Sequence, residues 1–231
     1  MAQNINRRDF IKNGSLALTS AAMAITACDS QDTQKETSPR YAMLIDLRKC
    51  YGCHSCSVAC KSQFNVPLGV WRSWVKVAEK GKFPNTKINY LPVLCNHCEN
   101  PPCVPVCPTG ATFKRKDGIV VVNEDDCVGC EYCVQNCPYQ ARFLHPYKKV
   151  VNKCDFCVER ISGGVEPSCV NTCPARARVF GDINDPDSEI SKLIAKNPVQ
   201  TLKEGMGTKP RVYYINLDDE SVFNEHNTMV N

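Results

Sequence analysis

Sixteen of the seventeen cysteines in this 231-residue chain fall into four groups of four. The first group is Cys50, Cys53, Cys56 and Cys60, spaced C-x2-C-x2-C-x3-C. The second, Cys95, Cys98, Cys103 and Cys107, has a wider middle gap filled by ENPP. The third, Cys127, Cys130, Cys133 and Cys137, repeats the first spacing and is followed by Pro138. The fourth is Cys154, Cys157, Cys169 and Cys173, with a long middle gap and Pro174 after it. Three cysteines at short intervals wrap a loop around one face of a cubane iron–sulfur cluster. The fourth, set just inside a helix and followed by proline, points away towards a second cluster. Four complete motifs therefore predict four [4Fe–4S] clusters, with all sixteen cysteines as iron ligands.

Rival chemistries fit less well. Disulfide frameworks of exported proteins do not repeat C-x2-C-x2-C-x3-C-P. Structural zinc pairs C-x2-C units but does not use three cysteines in one tight loop with a fourth beyond. His54 and His97 lie inside cluster loops, but four cysteines already serve each cluster. They read as hydrogen-bond donors or bystanders rather than ligands.

The elements that position these loops follow from an internal repeat. MLIDLRKCYGCHSCSVAC (43–60) aligns without gaps on VVVNEDDCVGCEYCVQNC (120–137). Each copy reads as a β-like run, a polar turn, a glycine-bearing cluster loop and a short helix start. Gly52 and Gly129 occupy matching places where backbone would approach a cluster. After the last cysteine of the other groups come CPTGATF, CPYQARF and CPARARVF. There proline suits a first helical turn, and an apolar residue returns the chain to a sheet. Cys60, followed by Lys61, departs from the pattern. Residues 61–90 read as a partly β insertion whose Trp71 and Trp74 serve packing. Residues 188–196 predict a short amphipathic helix with Ile190, Leu193 and Ile194 inward, and 211–217 a strand.

The formal charge of +4 counts cysteines as neutral. Sixteen metal-bound thiolates add more negative charge than four cluster cores return, so the loaded protein is expected to be acidic, with no nucleic-acid footprint. Basic residues gather beside the motifs instead: Lys49, Lys61, Lys114, Arg115, Lys116, Arg142, Lys153, Arg160, Arg176 and Arg178. They either offset cluster charge and tune potential or form an ordinary solvated surface.

Residues 1–28 read as an address rather than as fold. Arg7 and Arg8, then Phe10, Ile11 and Lys12, precede the mildly apolar GSLALTSAAMAIT, the layout of a twin-arginine export signal. Clusters are assembled in a reducing cytoplasm, so a protein exported already folded and loaded suits this route. The expected location is the periplasmic side of the bacterial inner membrane. Cys28 closes Ile25-Thr26-Ala27-Cys28, which resembles a lipobox; cleavage before it would leave a lipidated cysteine. Cleavage after Ala22-Met23-Ala24 and no cleavage are the competing readings. Residues 29–40 suit a flexible tether. Outside the first 28 residues no apolar run approaches the length of a membrane span. Membrane association is therefore expected through the N-terminus or a partner.

From Tyr41 to about Glu220 the chain resembles the iron–sulfur β-subunit family of molybdopterin oxidoreductases, which includes dimethyl sulfoxide, polysulfide and tetrathionate reductases. The quartets in order, LCNHCENPPCVPVCPTGATF and KDGIVVVNEDDCVGCEYCVQNCPYQARF, carry the resemblance. YAMLIDLRKC, GDINDPDSEI and RVYYINLDD are most similar to the tetrathionate reductase type. The resemblance implies that groups one and four cooperate, as do groups two and three. One cluster would take Cys50, Cys53, Cys56 and Cys173, and its neighbour Cys60, Cys154, Cys157 and Cys169. A third would take Cys95, Cys98, Cys103 and Cys137, and the last Cys107, Cys127, Cys130 and Cys133.

The implied fold is α+β: two nested ferredoxin-like units with small sheets, short helices and long cluster loops. Residues 90–150 form the inner unit, 41–60 with 150–182 the outer one, and 183–231 an extension that contacts a partner. The implied function is an electron relay from a multi-pass, quinol-oxidising membrane subunit to a catalytic reductase subunit. The chain itself shows no glycine-rich nucleotide loop, catalytic triad pattern or pterin pocket, so it is expected to be non-catalytic. The absence of a C-terminal membrane segment points away from the formate dehydrogenase type. Three alternatives stay open: a relay feeding a multihaem sulfite or nitrite reductase, a free periplasmic ferredoxin, and an autonomous enzyme.

Overall fold

In the computed structural model, residues 38–217 are described. The twin-arginine segment with Arg7 and Arg8, Cys28, most of the expected tether and the last residues of the tail lie outside them. No helix among the described residues is long and apolar enough to cross a membrane.

Strands deliver the chain to each cysteine group. β1 (Tyr41–Asp46) leads to Cys50, and the helix α1 (Ser55–Phe64) follows, carrying Cys56 and Cys60. A long antiparallel hairpin, β2 (Ser73–Lys82) and β3 (Asn85–Leu94), comes next, in the register Ser73↔Leu94 to Lys82↔Asn85. Its second strand runs past the expected boundary at residue 90 and ends directly at Cys95. β4 (Thr112–Lys114) pairs with β5 (Val120–Val122), which leads to Cys127 and the short helix α2 (Tyr132–Gln135). β6 (Arg142–Leu144) pairs with β7 (Val151–Lys153), which ends against Cys154. Two short helices, α3 (Val158–Ser162) and α4 (Ser168–Asn171), frame the fourth group before β8 (Arg178–Asp182). The first and third cysteine groups each follow a strand and run into a helix.

The residues after Cys107, Cys137 and Cys173 depart from expectation. Proline there opens a hydrogen-bonded turn rather than a helix. Gly110, Gln140 and Arg176 each donate their N–H to the carbonyl of the cysteine three residues back, at 3.3, 3.1 and 3.1 Å. All three have left-handed backbone, with φ of 70°, 53° and 47°. Proline fixes the first corner of such a turn, and the left-handed residue reverses the chain so that the next strand starts two residues later. Those strands are β4, β6 and β8, which begin at Thr112, Arg142 and Arg178.

The C-terminal region is part of the fold rather than an appendage. Ser188 caps α5 (Glu189–Lys196), accepting the Ser191 N–H at 3.2 Å, with Glu189 in the first turn and Lys196 in the last. Ile190 is fully buried, with Leu193 and Ile194 packed beside it, as the spacing predicts. β10 (Val212–Ile215) lies parallel to β1, with Met43 opposite Val212, and completes a sheet ordered β8-β1-β10-β9, where β9 is Val199–Gln200. The tail also covers a cluster loop of its own chain: Glu99 and Asn100 donate to the carbonyls of Lys209 and Thr208, and Arg211 donates to that of Asn96. These contacts hold the tail against the Asn96–Asn100 loop of the same chain.

An ion cluster locks that tail in place. Glu99 accepts from Lys114 Nζ at 2.6 Å, from Arg211 Nε at 3.0 Å and also from Arg211 Nη2, while Arg40 Nη2 lies at 3.4 Å. Burial raises the carboxyl of Glu99, but the hydrogen bonds from Lys114 and Arg211 outweigh it and bring it to about 2. Arg211 is buried, so removing Glu99 strands a guanidinium away from water. Glu99→Ala is expected to cost on the order of 2–3 kcal/mol, below the usual figure for a fully buried pair because Glu99 is a third exposed. The thermal midpoint should fall by about 5–10 °C. Because the carboxyl is depressed on folding, this contribution is present above its ordinary value and is lost as pH drops towards 2. An unchanged midpoint at neutral pH would contradict this role.

Candidate functional site

None of the sixteen described cysteines is in a disulfide, and many sit where apolar residues would normally be. Cys56, Cys95, Cys154 and Cys169 are members of the main core cluster, among Met43, Ile45, Leu94 and Phe156. Cys103 and Cys133 belong to a smaller one with Val120 and Val151.

Folding brings distant groups together. Cys50, Cys53, Cys56 and Cys173 line one cavity, walled also by Val75, Pro92 and Arg178. Cys60, Cys154, Cys157 and Cys169 form a second gathering, every member buried. Burial pushes the Cys154 thiol well up, and the neighbouring Cys60, Cys169 and Cys157 push it further. Burial and Cys169 likewise raise Cys60 to about 12. In the third gathering, burial and Cys95 raise Cys98 to about 12, with Cys103 and Cys137 adding to the effect. Cys103 is raised to about 11 by burial, against the opposing charge of Arg142. Of the remaining four, Cys133 belongs to the smaller core cluster, and the partly buried Cys127 packs against that cluster. Cys107 accepts the Thr112 N–H at 3.5 Å, and Cys127 the Val151 N–H at 3.4 Å.

Exposure divides the thiols. Cys53 and Cys130, which occupy the same position in the two copies of the repeat, are the two exposed cysteines among those described. Each is flanked by exposed apolar residues: Tyr51 and Val58 beside Cys53, Val128 and Tyr132 beside Cys130. Burial raises Cys53, but hydrogen bonds from Ser55 and Tyr51 bring it below its ordinary value. Between the second and third gatherings, the rings of His97 and Phe156 stack at 3.8 Å. His97 lies between Cys95 and Cys98 in sequence, and Phe156 between Cys154 and Cys157.

These thiols suit iron–sulfur cores. A deep thiolate is costly unless a positive centre stands beside it, and each deep gathering contains several. No three His, Cys, Asp or Glu side chains among the described residues converge tightly enough for a single metal ion. Polar atoms beside the thiols are left over as well. Ser57 Oγ, both side-chain polar atoms of Asn96 and His97 Nε2 are buried without a protein partner. His97 Nδ1 accepts the Val120 N–H at 3.1 Å, so the proton sits on Nε2. Burial, then Lys153, Arg142 and Arg211, holds this imidazole neutral. The Ser57 hydroxyl, the Asn96 Nδ2 amide and His97 Nε2–H flank Cys56, Cys95 and Cys98 in the chain, where cluster sulfur would accept their hydrogen bonds.

The other residues singled out in the sequence take varied places. His54 is exposed and caps α1 in the left-handed region, at φ 58°, so of the two histidines only His97 is placed as a buried donor. Gly52 and Gly129 are left-handed, at φ 75° and 68°. A side chain there would strike the Tyr90 ring and the Lys149 carbonyl respectively, so protein packing already demands glycine. Trp71 lies under Lys61 Nζ at 4.1 Å, and Trp74 packs on the core. Of the basic residues near the motifs, Arg142 and Arg178 place a guanidinium nitrogen on a cysteine sulfur. Ser57 and Asn96 escape sequence reasoning, since neither a lone serine nor an asparagine has a distinctive spacing. With thiols filling the core, iron removal by an oxidant and chelator should abolish cooperative thermal unfolding. An apo-protein with an unchanged midpoint would contradict this.

A family model described as "4Fe-4S dicluster domain" matches residues 86–183. The B subunit of tetrathionate reductase from Salmonella typhimurium is 50% identical over 194 residues, covering 81% of this chain and 77% of that one. The B component of polysulfide reductase from Wolinella succinogenes is 45% identical over 179 residues, covering 76% and 94%. The B subunit of sulfite dehydrogenase from Allochromatium vinosum is 44% identical over 197 residues, covering 75% and 82%. Likeness of this extent, over the segment that holds all four cysteine groups, makes the chain a member of the iron–sulfur subunit family of molybdopterin oxidoreductases.

Proposed function

We propose that this chain is a non-catalytic electron relay with four [4Fe–4S] clusters. It would link a quinol-oxidising, multi-pass membrane subunit to a periplasmic catalytic subunit of molybdopterin type that reduces a sulfur compound such as tetrathionate or polysulfide. When bound, each cluster accepts and gives up one electron without bond chemistry on a substrate. Cluster 1 takes Cys50, Cys53, Cys56 and Cys173; cluster 2 takes Cys60, Cys154, Cys157 and Cys169. Cluster 3 takes Cys95, Cys98, Cys103 and Cys137; cluster 4 takes Cys107, Cys127, Cys130 and Cys133. The pairing makes two nested ferredoxin-like units. It is supported by the β1–β8 pairing, which joins 41–46 to 178–182 around the hairpins β4–β5 and β6–β7.

The observation that carries the relay is the gradient of exposure. The cysteines assigned to cluster 2 are all buried, and those of cluster 3 nearly so, whereas clusters 1 and 4 each own one exposed ligand, Cys53 and Cys130. Surface-reaching sites at both ends and insulated ones between are what a wire between two partners needs. The His97–Phe156 stack lies where clusters 2 and 3 would adjoin, giving the order 1–2–3–4. The surrounding residues exclude water, fix the thiols and supply hydrogen bonds to them. The exported location follows from Arg7 and Arg8, with Cys28 as a lipid attachment.

The test uses the native complex in membrane vesicles, purified anaerobically. Added quinol should reduce the clusters, and the catalytic subunit's substrate should reoxidise them. Molybdenum, rather than covalent haem, should co-purify. Haem without molybdenum would move the chain to a multihaem partner, and a chain that elutes alone would make it a free ferredoxin. Failure of quinol to reduce any cluster would contradict the relay.

A further inference from the structure

Two buried arginines occupy one position in two copies of one motif. Cys137-Pro138-Tyr139-Gln140-Ala141-Arg142 and Cys173-Pro174-Ala175-Arg176-Ala177-Arg178 share the pattern C-P-x-x-A-R. In each, the left-handed turn after the proline brings the arginine to the first residue of a strand, β6 or β8, and turns it inward. Arg142 is 5% exposed and Arg178 3%. Arg142 Nη2 donates to Cys103 Sγ at 2.9 Å, and Nη1 to Thr112 Oγ1 at 3.2 Å. Arg178 Nη2 donates to Cys56 Sγ at 3.4 Å and to Ser73 Oγ at 3.1 Å, while Nη1 faces Met43 Sδ at 3.7 Å.

The equivalence extends to the targets. Cys56 and Cys103 are each the third cysteine of their group. Each belongs to the same proposed cluster as the cysteine that opens the arginine's own motif, Cys173 or Cys137. Each guanidinium also faces the neighbouring cluster of its pair: Arg178 interacts with Cys169 as well as Cys56, and Arg142 with Cys133 as well as Cys103. The third copy of the motif, CPTGAT, has Thr112 at the arginine position, and there the hydroxyl accepts from Arg142 instead. One guanidinium therefore stands at the junction of each pair of clusters, and among the described residues no carboxylate bonds to either one.

We propose that Arg142 and Arg178 are matched potential-setting residues, each lodged between the two clusters of one pair and bonded to a ligand sulfur. This rests on the four-cluster reading above. A fixed cation stabilises the reduced, more negative state of a nearby cluster and so raises its potential. A hydrogen bond to the thiolate acts in the same direction. Since a guanidinium stays charged at any working pH, the effect is independent of pH. Lodging each cation within one pair restricts its influence to that pair. Both arginines act as positioning and tuning groups and undergo no chemistry.

The test is a redox titration of the native complex, followed by electron paramagnetic resonance, with iron counted in every sample. Arg178→Gln should lower the reduction equilibrium constant of cluster 1 by about tenfold or more, about 59 mV for one electron. Cluster 2 should shift the same way by less, and clusters 3 and 4 should stay in place. Arg142→Gln should do the converse, moving clusters 3 and 4 and sparing 1 and 2. If either variant fails to load iron, Ser73→Asp and Thr112→Asp place a carboxylate at the present acceptor of Arg178 and Arg142, cancel the charge in place and carry the same expectation. Unchanged potentials, or equal shifts in all four clusters, would overturn the inference. A wild-type sample without four clusters would instead overturn the reading beneath it.

Discussion

A thiolate taken out of water demands a positive neighbour, and this fold is arranged around that demand. Many of its thiols lie in the core, where burial pushes several of them up to about 11 or 12. Without compensation such groups would stay protonated and hold little. Iron supplies most of the compensation; buried guanidinium, imidazole N–H, amide and hydroxyl groups supply the rest. The short strands and four-residue helices make sense on these terms. They bury too little surface to stand alone, and the metal-bound loops replace much of the hydrophobic core that an ordinary chain of this size would have.

The same unit solves the positioning problem repeatedly. A strand feeds a loop of cysteines, a proline turn follows the last one, and a left-handed residue sends the chain into the next strand. The strand that follows the fourth group, Arg178–Asp182, pairs with Tyr41–Asp46, and the tail strand is added on the other side of Tyr41–Asp46. Tyr214 carries this into the hairpin, its hydroxyl donating to the Pro92 carbonyl at 2.9 Å.

Much of this is legible in the sequence, and what is not has physical reasons. Cysteine spacing is a local signal with a single strong chemical meaning, so the cluster loops stand out, and so does the 3.6-residue spacing of Ile190, Leu193 and Ile194 on α5. Proline after the last cysteine suits a helix start and a turn equally, which is why the turns read as helices. Only Gly110 among the three left-handed residues advertises the turn; Gln140 and Arg176 hide it. The tail's insertion beside β1 depends on pairing between strands far apart in the sequence, such as Met43 with Val212, which no local pattern reveals. Arg142 and Arg178 can be named from sequence only as basic residues near motifs. Their distinction from Lys49 or Lys116, on the surface of the same regions, appears only once the strands turn them inward.

The central claim is that sixteen cysteines hold four cubane clusters, and counting iron in the anaerobically purified chain while identifying its form by Mössbauer spectroscopy tests it most directly. The account expects about sixteen irons per chain, all in thiolate-bound [4Fe–4S] sites. Stoichiometric zinc, disulfides in place of iron, or an iron count near half the expected value would contradict it.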